Sequence, residues 1–266
     1  MLSYQEIISK IDQLEEANIL ISALELRIFS ILGKQWMSAK QVSSATKTQF
    51  EGTEILLNAL TSMGALKKNV NKYTNTQITY KYFCESSLDY KKGTVMLKQE
   101  NRDEYEQLTK ILRDGRDLQS FAAVDDSKFR DLFTYAMHER SEMYVEKVAK
   151  IVTKKHVGNL VDLGCGPGSY SVAILKQDKN ATAVLMDRPV AIRVARKIHK
   201  NHSAYIRLKF ISGDLFDDDF GSEYDTVLLS NIIHIYSPRE NKILFKKIYK
   251  ALNKGGRLVL YDFFLK

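Results

Sequence analysis

The chain has 266 residues, of which 44% are hydrophobic and 27% charged, a balance that fits two modest globular domains or one large one and excludes extensive disorder. Its formal net charge of +8 comes from scattered pairs, Lys67-Lys68, Lys91-Lys92, Lys154-Lys155 and Lys246-Lys247. That pattern reads as a solvated lysine-rich surface before it reads as a site for nucleic acid or an anionic substrate.

The two cysteines, Cys84 and Cys165, make neither a disulfide framework nor a zinc site. The N-terminal stretch MLSYQEIISKIDQLEE carries acids early and lacks the apolar region of a secretory signal. No apolar run approaches the ~18 residues of a membrane span, so a reducing cytoplasm is the expected compartment.

Ile7, Ile8, Ile11, Leu14, Ala17, Ile21, Leu24 and Ile28 recur at helical spacing and predict one helix over residues 4–32, stopped at Gly33. Ser38 caps a short helix over 39–45, and a longer one runs over 53–63 to Gly64. Residues 65–70 and 72–76, split at Asn71, read as a hairpin. Helix, short helix, longer helix and hairpin in that order resemble a winged helix. Residues 89–152 read as helical, best over 128–152, where Phe129, Leu132, Phe133, Ala136, Met137, Met143, Tyr144, Val148 and Ile151 recur.

After residue 156 the pattern changes. Strands are predicted at 159–163, 182–186, 208–212, 225–230 and 257–263, with helices at 169–176, 190–200 and 239–252. Apolar strands alternating with helices imply an α/β domain with a doubly wound, mainly parallel, Rossmann-like sheet. The expected division is therefore a mostly helical winged-helix domain at 1–88, a helical linker at 89–155 and the α/β domain at 156–266.

The strand 159–163 runs into Gly164-Cys165-Gly166-Pro167-Gly168. Glycines there permit a tight turn and close approach of a ligand to the backbone, and the following helix N-terminus offers free N–H groups. The spacing is G-x-G-x-G, with Ser169 where a dinucleotide fingerprint has its third glycine. Asp162, two residues before Gly164, would repel a pyrophosphate and attract an ammonium group. It suits the amino-acid end of S-adenosylmethionine, directly or through water. A lone glycine turn can also be purely structural. Here two further acids follow two further strands. Asp187 can accept both ribose hydroxyls. Asp214 can accept from the adenine amino group, with Leu215 and Phe216 as apolar cover.

The segments VDLGCGPG, MDRP and GDLF resemble the class I methyltransferase core. They are most similar to the O-methyltransferases with an N-terminal winged-helix dimerisation domain, which include plant caffeate-type and bacterial natural-product enzymes. The resemblance covers nearly the whole chain, including ISALELRIFSIL and FRDLFTYAMHERSEMY. It implies S-adenosyl-L-methionine as cofactor, a small-molecule acceptor, and a homodimer formed through the N-terminal domain. It also implies that helices of the 89–155 segment cap the substrate, with Phe133 and Met137 in the acceptor wall, although helix–helix packing would explain those two equally. Ser230 stands where some relatives contact the cofactor.

The resemblance further implies that His234, after the fourth strand, removes the proton from an acceptor hydroxyl. The family motif is commonly His-Asp-Trp. His234-Ile235-Tyr236 retains only the histidine. An imidazole is a suitable base for a phenol, and proximity supplies much of the remaining acceleration. Asp262 matches the acid that orients this histidine in plant members, or is an ordinary strand-end acid. A second orienting acid normally comes from farther along the chain, and this sequence stops at Lys266. Relatives continue with a further strand pair and helices. Three explanations are open: a piece of a longer chain, a short gene product, or a partner that covers the exposed fifth-strand edge.

The expected function is O-methylation of a small, aromatic, hydroxyl-bearing molecule with a histidine base. The alternatives are N- or C-methylation of a small molecule and a non-catalytic or partner-dependent cofactor-binding subunit. A DNA-binding regulator is disfavoured because the helix TEILLNALTSM holds no Arg or Lys. A nucleic-acid methyltransferase would carry an Asn-Pro-Pro-Tyr type segment where Ser230-Asn231-Ile232-Ile233 stands. No carboxylate cluster suggests a metal.

Overall fold

The computed structural model describes residues 1–100, 108–115 and 127–264 and divides into two compact units, residues 1–117 and 118–266. The helical segment expected between 89 and 155 is shared between them. Its portions at 101–107 and 116–126 lie outside the described residues.

In the first unit, α1 (Tyr4–Glu25) begins at a capping box in which the Ser3 hydroxyl takes the Glu6 N–H and Glu6 returns to the Ser3 N–H. The single helix expected over 4–32 is broken. Arg27 sits in the left-handed region at φ 55°, and α2 (Ile28–Leu32) follows as a separate piece that buries Ile28, Phe29 and Leu32. At the break Arg27 Nε donates to Glu85 Oε1 at 2.9 Å. Next come β1 (Met37–Ser38), α3 (Ala39–Thr46), α4 (Phe50–Ser62), β2 (Leu66–Asn69) and β3 (Lys72–Asn75). Ser38 caps α3 as expected. β2 and β3 form the expected hairpin, with Leu66 opposite Asn75, and β1 adds to its other side in the order β1-β3-β2. Ala23, Ile28, Leu32, Val42, Leu57, Leu60 and Tyr73 fill the core. The helices α5 (Gln77–Phe83), α6 (Lys92–Glu100) and α7 (Leu108–Asp114) complete the unit.

The first described elements of the second unit are α8 (Ser127–Ser141) and α9 (Val145–Val152), two helices in place of the continuous one that the apolar spacing predicts over 128–152. Then follow β4 (Asn159–Leu163), α10 (Ser169–Gln177), β5 (Thr182–Asp187), α11 (Pro189–His199), β6 (Leu208–Ser212), β7 (Tyr224–Ser230), α12 (Pro238–Ala251) and β8 (Leu252–Tyr261). The sheet order is β6-β5-β4-β7-β8, parallel throughout. The fifth strand starts earlier than its apolar run suggests, because Leu252 already pairs with Tyr224 before an irregularity restores register at Thr226–Arg257. β4 separates two cores by its pleat. Leu160 enters one with Ile174, Leu175 and Leu185, while Val161 and Leu163 enter the other with Met186, Val227 and Leu244. The order in which strands are added reverses at β4, with β5 and β6 laid down on one side of it and β7 and β8 on the other. The crevice between β4 and β7, at the carboxyl ends of the strands, is where ligands bind in open parallel sheets. No helix among the described residues is long and apolar enough to cross a membrane.

Candidate active site

The turn after β4 opens onto this crevice. Gly164, at φ 67°, is packed so closely that a Cβ would lie 2.3 Å from Ile232 Cδ1, whereas a Cβ on Gly166, at φ 53°, would meet open space. The turn is thus fixed on the protein at one glycine and free for a ligand at the next. Gly168 caps α10 in the left-handed region at φ 71°.

Asp162 lies under the turn at 1% exposure. Its Oδ2 accepts from Ser171 Oγ at 2.7 Å, and its Oδ1 has no partner. Burial pushes its carboxyl up to about 7, against the Ser171 bond and with help from Asp187. A buried, orphaned carboxylate oxygen calls for a donor. Asp187 ends β5, with Oδ2 accepting from Gly166 N and Oδ1 from Arg188 N, each at 2.7 Å. Burial raises its pKa, while those N–H groups and the cations Arg130 and Arg188 oppose the rise. Each oxygen keeps a second lone pair for a hydroxyl.

Asp214 is more committed to its own surroundings than its sequence position suggests. Oδ1 accepts from Phe216 N at 2.7 Å and Asp217 N at 3.2 Å, and Oδ2 pairs with Arg188 at 2.6 Å. Burial raises its pKa, but these bonds and Lys247 outweigh it and hold the carboxyl below its usual range. Leu215 is buried, and Phe216 meets Tyr236 edge-on at 4.9 Å. Lys247 Nζ donates to the carbonyls of Leu215 at 3.1 Å, Phe216 at 3.2 Å and Asp218, tying this loop to α12.

Across the crevice Ser230 is buried at the end of β7. The chain turns at Asn231, φ 56°, and His234 follows on a single 3₁₀ turn, Ile233–Ile235. His234 Nδ1 lies 2.6 Å from Asp262 Oδ1. Asp262 Oδ2 accepts from Ile232 N and Ile233 N, both at 2.9 Å, so one carboxylate sets both the turn and the ring. Burial raises the Asp262 pKa, but the Phe263 N–H, His234 and the Ile233 N–H overcome it and keep the group ionised. The carboxylate can only accept, so Nδ1 carries the proton and Nε2 is left as the base.

Phe133 and Met137 occupy one face of α8. Leu132 and Ala136 are buried, whereas Phe133 is 42% exposed and Met137 half-buried. Phe133 stacks on Phe129 at 6.0 Å. Sequence reasoning missed Ser171, Arg188, Lys247 and the histidines His138 and His199, which bond Ser169 Oγ and the Pro167 carbonyl, each at 2.8 Å. Among the described residues no cluster of three or more His, Cys, Asp or Glu could hold a metal.

A family model for the O-methyltransferase domain matches residues 98–266, and one for the O-methyltransferase dimerisation domain matches residues 11–83. The chain therefore belongs to the O-methyltransferase family and is an S-adenosylmethionine-dependent methyltransferase. It is 24% identical over 266 residues to acetylserotonin O-methyltransferase of Bos taurus, covering 92% of this chain and 76% of that one. It is 23% identical over 255 residues to L-tyrosine C(3)-methyltransferase of Streptomyces lavendulae, covering 91% and 69%. The structure of an O-methyltransferase family protein from Burkholderia thailandensis superposes with a TM-score of 0.85 at 25% identity, covering 98% of this chain and 80% of that one. The residues present fit the cofactor. The orphaned Asp162 oxygen suits its ammonium group, and the space over Gly166 admits its body.

Proposed function

We propose that this chain methylates a hydroxyl of a small aromatic molecule, with His234 as general base and Asp262 as the residue that orients it. The observation that carries this reading is the 2.6 Å bond between His234 Nδ1 and a nearly inaccessible Asp262 carboxylate, at the crevice edge beside the glycine turn. S-adenosylmethionine, when bound, supplies an electrophilic methyl group on a sulfonium. His234 Nε2 would take the proton of the acceptor hydroxyl, leaving its oxygen as the nucleophile for that methyl group. Asp262 stabilises the imidazolium that results. Asp162 would receive the cofactor ammonium, Gly166 would leave room for the ligand while Gly164 and Gly168 hold the turn close against Ile232 and Leu185, and Asp187 would accept from the ribose. Asp214 would accept from the adenine amino group through the one lone pair left on Oδ2, Leu215 and Phe216 would cover the ring, and Ser230 flanks the crevice.

Phe133 and Met137 form part of the acceptor wall, since neither belongs to the buried face of α8. The protein acts as a homodimer through residues 1–88, in the cytoplasm, with 89–155 as linker and cap and 156–266 as the cofactor domain. The test is calorimetric titration with S-adenosylhomocysteine, followed by a screen of phenols, amines and activated aromatic carbons. Asp187→Ala is expected to abolish binding. His234→Ala is expected to bind normally and lose at least about a hundredfold in turnover. Unchanged turnover removes His234 from the mechanism. A carbon- or nitrogen-methylated product moves the assignment to the alternative acceptors, and binding without any turnover favours a cofactor-binding subunit.

A further inference from the structure

The glycine turn has an apex with no amide handle. Pro167 lacks an N–H, and its neighbours Gly166 and Gly168 both have positive φ. Within the turn one backbone bond closes it, from Gly168 N to the Cys165 carbonyl at 2.8 Å, and the other groups near its apex are met by side chains from outside. Gly166 N is taken by Asp187, as described above. The Pro167 carbonyl is taken by His199 Nε2 at 2.8 Å, and Ser169 Oγ by His138 Nδ1 at 2.8 Å.

His199 is the last residue of α11 and is 6% exposed. Its ring meets His138 edge-on at 5.8 Å and His202 at 6.5 Å, and of these three histidines His199 and His138 bond the turn or the residue after it. A carbonyl can only accept, which places the His199 proton on Nε2 and leaves Nδ1 bare. Burial, the Pro167 bond acting against it, and the two neighbouring rings together push its pKa down to about 4. The ring is therefore a neutral donor across the physiological range. Neutrality has a chemical reason here. The cofactor of this family carries positive charge on both sulfur and ammonium, and a Lys or Arg anchoring the same carbonyl would place a like charge beside them.

We propose that His199 is a positioning residue for the cofactor turn. Its donation to the Pro167 carbonyl, braced by His138 on Ser169, preorganises the turn so that Gly166 presents open space to the ligand. Without the donor, binding must itself order the turn, and affinity falls by that cost. This inference rests on the reading that the glycine turn receives the cofactor.

The experiment titrates the full chain, His199→Phe and His199→Gln with S-adenosylhomocysteine, with a thermal melt of each. Phe keeps a flat ring and removes the donor. Gln restores an N–H near the place of Nε2. His199→Phe is expected to weaken binding about tenfold, and His199→Gln to remain within about threefold of the wild type. A purely structural role would lower both melting temperatures and leave the two affinities alike. A folded His199→Phe with wild-type affinity overturns the proposal, and so does equal weakening by both variants. Should His199→Phe fail to fold, nitrogen-15 histidine spectra of the wild type decide. The Nε2–H tautomer, with slower proton exchange when the ligand saturates, supports the proposal, and a ring indifferent to ligand overturns it. Wild-type protein that binds no ligand sinks the cofactor-turn reading and this inference with it. In each of the other overturning outcomes the wild type still binds, so the inference falls while the cofactor-turn reading stands.

Discussion

Asp162 is held so far from water that its carboxyl titrates near pH 7, with burial as the first cause. A cofactor ammonium needs the ionised form. Below pH 7 the free protein holds a proton at Asp162 that binding must expel. Affinity therefore rises with pH and levels off above about 7. Roughly a tenth of the sites are ionised at pH 6 and nine-tenths at pH 8, so S-adenosylhomocysteine is expected to bind about tenfold more tightly at pH 8. Calorimetry in two buffers of different ionisation enthalpy should detect close to one proton released at pH 6 and little at pH 8. Asp162→Asn should bind more weakly at pH 8 and lose the pH dependence. Binding at pH 6 with no proton released would mean that the ammonium is satisfied elsewhere.

At the scale of elements, the loop after β6 shows how a side chain from one element fixes another. Lys247 stands on α12 next to the buried Ile248, and its ammonium collects three carbonyls of residues 215–218. Lys247→Met keeps the stem and strands those carbonyls. The expected cost is about 1–2 kcal/mol for hydrogen bonds to a half-buried charge, or a fall of roughly 2–8 °C in the melting temperature. Because the loop carries Leu215 and Phe216, ligand affinity should also fall. A variant with wild-type melting and affinity would show that the loop holds its own shape. Lys247 also marks the limit of what the sequence reveals. Strand apolarity, the glycine turn and the order of the three acids were legible because they are local patterns. The wing hairpin and the Ser38 cap were legible for the same reason. The break at Arg27 was not, because no local pattern marks its left-handed turn and the partner it meets there, Glu85, is 58 residues away. The Arg188 bond to Asp214 and the His199 bond to Pro167 were equally hidden, each joining residues from different strand–helix units. Asp262 was suggested only by resemblance. Its bond to His234 spans 28 residues and is set by β7 and β8 lying side by side.

At the scale of the molecule, α1 raises a question of support. It is 22 residues long, yet only Ala23 is buried, and residues 1–16 are all exposed. Ile7, Ile8, Ile11 and Leu14 stand 46%, 36%, 60% and 66% exposed, an apolar stripe at helical spacing. An isolated stretch of this length is marginally helical in water, and most helix stability comes from packing an amphipathic face. From Ile19 onward the helix packs on its own unit. Among the described residues its first turns have no such support, and the dimerisation-domain match begins at residue 11. A second copy that covers the stripe accounts for both its apolar character and its helicity. The double variant Ile11→Glu, Leu14→Glu leaves every α1 residue of that core cluster untouched. It is expected to turn a dimer into a monomer in sedimentation velocity and to lower the helical circular dichroism signal as the first turns fray. S-adenosylhomocysteine affinity should stay near that of the wild type, because every residue assigned to the cofactor lies in the second unit. A double variant that remains dimeric would move the interface to another face, and a monomeric wild type would remove the homodimer from the proposal.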